Sequence, residues 1–232
     1  MNIRLTHLIA QSALPAIVLL SGTVMPAISL AAASPADSPM VEDSTTDISL
    51  DAPIEDISAF AGGEVTALCR AQNRPCGIEE DPGSSTHAPK SVTKIRIRKT
   101  TLRKALDQSA KLHPGKRWVV RNGVVNFEPQ YRKGVDLLSR KLDKVSIHGM
   151  RTDAAFYLVL KQAGITTSGS FYSGTGPVYG VIDVDMKNVT VRDALNAIAK
   201  ADGKVVWHFA ADKPEESRAS FSISTWRGAG LQ

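Results

Sequence analysis

The hydrophobic pattern changes from the period of a strand to the period of a helix between residues 182 and 199. Ile182, Val184 and Met186 alternate with polar residues, which is typical of a half-buried strand. The apolar residues that follow recur every three or four positions and define one helix face: Val191, Ala194, Leu195, Ile198 and Ala199. Thr190 and Asp193 have the spacing of a capping box, so we expect the helix to begin directly after Thr190.

The same strand-to-helix pattern occurs earlier in the chain, at a constant offset of 89 in residue number. Between Thr101 and Trp118, seven residues are identical to their counterparts at this offset, and Trp118 aligns with Trp207. The first copy has Lys104 where the second has Asp193, so we expect a weaker helix cap there. A match of this length at one offset predicts one supersecondary unit used twice.

Strand patterns follow the helix of each copy. In the first copy, Asn122-Gly123 separates two apolar runs, and this dipeptide favours the tight turn of a β-hairpin. In the second copy, Val205–Phe209 and Ala219–Ile223 are the corresponding predicted strands. A weaker match places one more strand near the start of each copy, at Ile48–Leu50 and Val145–Ile147.

The two copies therefore share one order of elements: strand, helix, strand, strand, helix, strand, strand. In the first copy, the first helix is expected within Ile54–Gln72. This order predicts an α+β fold made of two tandem small domains, at residues 48–129 and 143–225. Residues 130–142 are the expected linker between them, and residues 226–232 the C-terminal tail.

Residues 181–198 carry a resemblance to a known family. They read Val-Ile-Asp-Val-Asp-Met-Lys-Asn-Val-Thr-Val-Arg-Asp-Ala-Leu-Asn-Ala-Ile, an apolar strand followed by a Thr-Val-x-x-Ala-Leu helix. This resembles the secretin and TonB short N-terminal domain, which also forms the first periplasmic domain of secretins. The resemblance covers nearly all of Ile48–Ile223 as two tandem copies. It implies a small α/β protein-interaction module without catalytic residues, and we expect no outer-membrane barrel or secretin pore domain to follow it.

Residues 1–33 have the pattern of a secretory signal peptide. Arg4 precedes a largely apolar stretch from Leu8 to Leu30, and Ala31-Ala32-Ala33 supplies a cleavage site. An apolar stretch of this length is also compatible with a membrane anchor, but the prolines within it and the cleavage site favour export. We therefore expect a periplasmic protein rather than a secreted one, with a flexible leader at residues 34–47 and no membrane span after cleavage.

Cys69 and Cys76 are the two cysteines of the chain. An even number of cysteines in an exported protein favours a disulfide, which here closes a short loop. The alternative is a metal or redox pair, but the spacing is not C-x-x-C and no second Cys or His pair lies beside it. We expect a Cys69–Cys76 disulfide and neither a metal site nor a cofactor.

Charge is distributed unevenly along the chain. The segment Ser34–Pro89 is strongly acidic, with 11 acids and 2 bases, whereas Lys90–Lys144 is strongly basic, with 16 bases and 4 acids. This split predicts docking of the acidic region on the basic one, an anionic partner, or only a solvated surface. The candidate partner- or anion-binding residues lie on a predicted strand and the following helix start: Arg96, Arg98, Lys99, Arg103 and Lys104. The segment lacks interleaved aromatic residues, so we do not expect nucleic acid as the ligand.

The residues that commonly carry catalysis show no catalytic spacing. The histidines beyond the predicted signal peptide lack the spacing of metal ligands: His87, His113, His148 and His208. The carboxylates of Glu79–Asp81, Asp183 and Asp185 are expected at exposed positions, and general acid–base catalysis needs two unlike environments. We therefore expect no catalytic residues.

These observations favour an exported adaptor without catalytic activity that binds another protein of the cell envelope. The first alternative is an envelope anion- or glycan-binding protein, with an anionic polymer as the partner of the basic face Lys94–Lys104. The second alternative is an unrecognised hydrolase.

Overall fold

The structure is a computed structural model, and it describes residues 49–60, 62–80, 94–132, 134–168 and 179–226. The first half contains β1 (Pro53–Ile54), β2 (Ile57–Phe60), α1 (Glu64–Ala71), β3 (Cys76–Glu80), β4 (Lys94–Ile97), β5 (Thr100–Thr101), α2 (Leu102–Leu112), β6 (Lys116–Arg121) and β7 (Val124–Pro129). The second half contains β8 (Lys141–Arg151), α3 (Thr152–Gln162), β9 (Thr166–Ser168), β10 (Val181–Thr190), α4 (Val191–Asp202), β11 (Val205–Lys213) and β12 (Arg218–Thr225). The predicted α+β fold class is confirmed.

Each half contains a two-stranded antiparallel ribbon, two helices and three strands of a larger sheet. In the second half the ribbon is the long pair β8 and β10. In the first half the same ribbon is interrupted, because β2 pairs with β4 and β1 pairs with β5 in two short pieces. The second half thus has the predicted order strand, helix, strand, strand, helix, strand, strand.

The three remaining strands of each half join in one six-stranded sheet, in the order β6-β7-β3-β11-β12-β9. Within each half, two strands are antiparallel and the third is parallel to its neighbour. The halves meet where β3 pairs with β11 in parallel, and we call this junction the seam. Because the sheet is continuous across the seam, the predicted division into two domains is not confirmed.

The helices of the two halves cover opposite faces of this sheet. Neighbouring residues of a strand point to opposite faces, and Val206 packs with the core around α1 and α2 whereas Trp207 packs with the core around α3 and α4. Trp118, the counterpart of Trp207, lies in the core of its own half. β11 therefore belongs to both hydrophobic cores, which ties the halves together.

The repeat is visible in equivalent side-chain contacts. Trp118 Nε1–H donates a hydrogen bond to Asp107 at 2.8 Å, and Trp207 Nε1–H donates to Asn196 at 3.3 Å. Both acceptors lie 11 residues before the tryptophan, on the helix that precedes its strand. The constant offset of the repeat thus relates three-dimensional contacts as well as residue types.

Several local predictions are confirmed. Thr190 and Asp193 form the predicted capping box of α4, and Thr101 caps α2 through a longer 3.4 Å hydrogen bond from the Lys104 N–H. The predicted apolar face of α4 is completely buried: Val191, Ala194, Leu195, Ile198 and Ala199. At the hairpin turn between β6 and β7, Asn122 and Gly123 have the positive φ values that a tight turn requires.

Two local predictions are wrong or incomplete. The predicted helix within Ile54–Gln72 is confined to α1, and the residues before it form β1 and β2, because they pair with the distant strands β5 and β4. The segment 130–142 includes a 3₁₀ turn at Leu137–Ser139, and Leu137 and Leu138 are buried in the core of the second half. This segment is therefore part of the packed structure.

Candidate interaction surfaces

Acidic residues of the first half partly neutralise the predicted basic binding segment. Arg96 Nη2 lies 2.8 Å from Asp56 Oδ2, and the backbone N–H of Lys99 donates to Asp56 Oδ1 at 2.8 Å. The hydrogen bond from Arg96 holds the pKa of Asp56 below its ordinary value. Asp56 thus spans the interruption of the ribbon in the first half, because it contacts Arg96 on β4 and the backbone of Lys99 directly before β5.

The other candidate residues divide into paired and unpaired ones. Lys99 Nζ lies 3.2 Å from Glu55, and Arg103 lies 3.6 Å from Asp51 and stacks over the ring of Trp118. Arg98 and Lys104 are exposed, and no described residue forms an ion pair with either. Binding of an anion or partner by these five residues stays a prediction. Among the described residues, Arg98 and Lys104 are the two candidates without an ion-pair contact, although the charge of Arg98 also helps to lower the pKa of Asp56.

The predicted cysteine pair joins α1 to the strand at the seam. Cys69 and Cys76 lie at disulfide distance, with their Cα atoms 6.3 Å apart, and both are buried in the first core. Cys76 begins β3, which is flanked by β7 and β11. The bond therefore constrains the strand through which the two halves meet.

Two of the histidines have buried or half-buried structural positions. His113 Nε2 lies 2.5 Å from Oε1 of Glu64, whose side chain is buried. The hydrogen bond to Glu64 raises the pKa of His113. His208 points toward α1, where its ring contacts the Thr66 hydroxyl at 3.3 Å, and burial lowers its pKa. His87 lies outside the described residues.

His148 belongs to an exposed polar cluster on the β8–β10 ribbon. Its Nε2 lies 3.0 Å from the Ser146 hydroxyl, and its Nδ1 lies 3.8 Å from Asp183. This order of groups is that of a serine nucleophile, base and orienting carboxylate. However, the Ser146 hydroxyl donates to Asp185 at 2.6 Å, and the side chains of His148 and both aspartates are more than half exposed. Water competes for every group there, so the cluster lacks the protected setting that such catalysis uses.

The most extensive ionic cluster lies at the seam. Arg192, at the start of α4, donates to Glu79 of β3 at 2.6 Å and to Asp136 at 3.0 Å. Arg132 lies 2.6 Å from the same glutamate, 3.1 Å from Glu128 and 3.4 Å from the same aspartate. The two glutamates are almost completely buried, at 2% and 0% exposure. The cluster thus connects a strand of the first half, the joining segment and a helix of the second half.

Charge compensation keeps the pKa values of Glu128 and Asp136 below their ordinary values. Burial alone would raise the pKa of Glu128, but the positive charge of Arg121, the hydrogen bond from Arg117 and the charge of Arg132 hold it below its ordinary value. Burial also acts to raise the pKa of Asp136, but the hydrogen bond from Ser139 and the nearby guanidinium groups hold this pKa below its ordinary value. Removing one partner from such a cluster leaves an uncompensated buried charge.

A cleft opens beside this cluster at the end of the sheet. Its apolar lining consists of Pro129, Tyr131, Val135, Leu137, Phe209 and Ala211. Tyr131 and Val135 are 75% and 53% exposed, so two of the apolar residues that line the cleft are more than half exposed to solvent. Glu80 and Arg132 are among its charged lining residues.

The sequence pattern did not reveal the seam cluster. Glu79 was expected at an exposed position, but it lies within β3 and is buried; Asp81 lies outside the described residues. Asp183 and Asp185 are exposed as expected. Arg192 places a charge directly after Val191, which begins the apolar face of α4, and this charge was the one local signal for a buried partner.

Within the ranges that the structure describes, no group of three or more His, Cys, Asp or Glu side chains could hold a metal ion. Over the same ranges, no helix is long and apolar enough to cross a membrane. Comparison with known proteins gives no match to a protein-family model, to a curated protein or to a solved structure.

Proposed function

We propose that this chain is an exported protein-interaction module without catalytic activity, built from two fused copies of a unit similar to the secretin and TonB short N-terminal domain. The sequence of residues 181–198 and the order of elements in the second half support this identity. The pattern of residues 1–33, which lie outside the described residues, supports export. A buried disulfide at Cys69 and Cys76 is consistent with folding in an oxidising compartment.

The observation that carries the binding function is the exposure of Tyr131 and Val135 at the seam cleft. Tyrosine is enriched in the centres of protein interfaces, because it combines a large apolar surface with a polar end. The two side chains lie on the segment that Arg132 and Asp136 fix to both halves. The segment that lines the cleft is thus joined to both halves by ion pairs, and the cleft suits the docking of one apolar side chain of an envelope protein.

Photo-crosslinking in the native compartment tests this function. We replace Tyr131 by p-benzoylphenylalanine in the full-length chain and, as a matched control, replace Leu112, which is 51% exposed at the end of α2. The proposal expects one specific adduct with an envelope protein from the Tyr131 position only.

A second substitution separates specific docking from chance proximity. Adding Val135→Asp places a charge at the rim of the cleft and should abolish the Tyr131 adduct while leaving the fold intact, because Val135 is exposed. Equal adducts from Leu112, or an adduct that is insensitive to Val135→Asp, would contradict a docking site at the cleft.

A further inference from the structure

The strand β6 lies at one end of the six-stranded sheet and carries two partly exposed arginines, Arg117 and Arg121. β6 is the first strand of the sheet order and pairs with β7 only, so no described strand covers its other edge. Such an edge presents backbone N–H and C=O groups that can pair with another extended chain. In an antiparallel pair alternate residues direct these groups away from the partner, and in β6 these residues are Lys116, Trp118 and Val120. The N–H of Lys116 already donates to the His113 carbonyl at 3.0 Å, so Trp118 and Val120 supply the outward N–H groups.

Two arginines of this edge strand converge on one buried carboxylate. Arg117 and Arg121 are separated by an even number of positions, so their side chains lie on the same face of the strand. Arg117 donates through Nε and Nη2 to Glu128, at 3.0 and 2.8 Å, and Arg121 donates through Nη2 at 3.1 Å. Arg132 also contacts Glu128, and Arg192 lies 4.0 Å from it, so four guanidinium groups surround a single carboxylate.

Within the part of the chain that the structure describes, the charge of this cluster is not balanced. Four arginines (117, 121, 132 and 192) face three carboxylates, those of Glu79, Glu128 and Asp136, which leaves one excess positive charge. The excess charge is partly open to solvent on one face of β6, because the Arg117 and Arg121 side chains are 46% and 39% exposed. Each guanidinium has five N–H donors, and the Nη1 group of neither arginine is used by a described residue.

We propose that β6 binds an extended acidic segment of a partner protein by strand addition, with a carboxylate of that segment placed between Arg117 and Arg121. A residue that pairs opposite Val119 has its side chain on the face that carries both arginines. The backbone pairing supplies affinity, and the charge-assisted hydrogen bonds select an acidic residue at that position. This inference rests on the proposed function, since it names a second contact of the same kind of partner.

Charged residues on an edge strand also have a protective role, since they discourage pairing with other chains. In β6, however, the two arginine side chains reach inward over the sheet to Glu128, and Val119 between them is half-buried. Inward-pointing charges of this kind disfavour a strand that cannot neutralise them, so this edge favours an acidic segment over a neutral one.

A peptide titration of the full mature chain, followed by amide NMR shifts, tests the proposal. The probe is a short acetylated and amidated peptide of alternating Thr and Val with a central Glu. Amide shifts are expected at residues 116–121, and the central Gln analogue should bind about tenfold more weakly, as for the loss of one charge-assisted hydrogen bond. Two N-methylated analogues separate strand pairing from charge. One is methylated at the odd positions of the peptide and the other at the even positions, so only one of them loses the N–H groups that face β6. Only the other analogue should still bind.

Matched variants of the chain locate the contact. Arg121→Gln should weaken binding of the Glu peptide about tenfold and leave the Gln peptide unchanged, whereas Arg98→Gln at the other exposed basic position should change neither. Equal binding of both N-methylated analogues, or full competition by inorganic phosphate, would show an anion site without strand addition and overturn the proposal. Absence of shifts at millimolar peptide would show that the edge is protected, which also overturns it. The crosslink at Tyr131 is independent of both results, so it distinguishes failure of this site from failure of the proposed function.

Discussion

At the scale of single residues, Gly77 determines how closely the two halves approach. It pairs with Trp207 across the seam, and a Cβ atom at this position would meet three ring atoms of that tryptophan at less than 3.0 Å. We predict that Gly77→Ala lowers the free energy of unfolding by about 1–3 kcal/mol, the usual cost of overpacking a core. Urea denaturation followed by circular dichroism measures the loss.

A double-mutant cycle identifies the ring as the cause of this loss. In a Trp207→Leu background the indole is absent, so Gly77→Ala should cost much less there than in the parent chain. An equal cost in both backgrounds would mean that the glycine is required for another reason, such as backbone freedom, and would contradict the packing argument.

The sequence predicted residues whose partners are near in the chain and missed those whose partners are distant. The capping pair Thr190 and Asp193 was predictable, because its members lie within one helical turn. Glu79 was not, because its partner Arg192 is separated from it by 113 positions, and a local pattern cannot distinguish a buried paired carboxylate from an exposed one. Tyr131 and Arg117, which carry the interaction proposals, could not be identified from the sequence, because their neighbours at the cleft and at the edge of the sheet are known only from the fold.

At the scale of elements, the helices α2 and α4 should be equally important for stability. Leu106 and Leu195 are equivalent positions on these helices, and both are 0% exposed. We predict that Leu106→Ala and Leu195→Ala each lower the free energy of unfolding by about 2–5 kcal/mol, through lost transfer energy and the cavity left behind. Thermal and urea denaturation of each variant measure the effect.

The exposed end of α4 provides the control for this comparison. Lys200→Ala changes the same helix at an exposed position, so its effect should stay within about 0.5 kcal/mol. If either leucine variant behaves like Lys200→Ala, the corresponding helix does not bury its face as the repeat requires.

The strong periodicity of β10 and α4 made these elements predictable, whereas the ribbon of the first half was misread in part as helix. β2 and β4 are short, and their pairing joins Ile57 to Ile97 across the whole of α1 and β3. Asp56 interrupts the strand pattern because its carboxylate binds Arg96 and the Lys99 backbone between the two short pairings. The strand assignment thus depends on a distant partner rather than on the local spacing of apolar residues.

At the scale of the whole molecule, the parallel pairing of β3 with β11 makes one body from two repeats. Its register pairs Cys76 of the first repeat with Val206 of the second. Because these residues are far apart in the chain, no hairpin or crossover pattern in the sequence predicts the pairing. Each repeat alone would leave this edge of its three strands unpaired. The ionic cluster of Arg192, Glu79 and Asp136 then connects the halves beside the paired strands.

This arrangement makes the stability of the whole molecule depend on pH. The folded-state pKa values of Glu128 and Asp136 lie below their ordinary values, because the effect of burial is outweighed by guanidinium groups and hydrogen bonds. Groups of this kind stabilise the folded state above their unfolded pKa values, about 4, and the stabilisation is lost as the pH falls through the folded values. We therefore predict that the free energy of unfolding decreases steeply below about pH 4. Urea denaturation at pH 7, 5, 4 and 3 measures this slope.

Glu128→Gln tests whether the seam cluster is the source of this acid sensitivity. The variant cannot take up a proton at this position, so its stability should be lower than that of the parent at pH 7 but should fall less between pH 5 and pH 3. Glu64 contributes to the same slope, since the effect of its burial is outweighed by the hydrogen bond from His113 and by backbone N–H groups, which leaves its pKa lowered. The slope should therefore be reduced in Glu128→Gln rather than abolished. A slope identical to that of the parent would show that the halves do not depend on the ionised cluster.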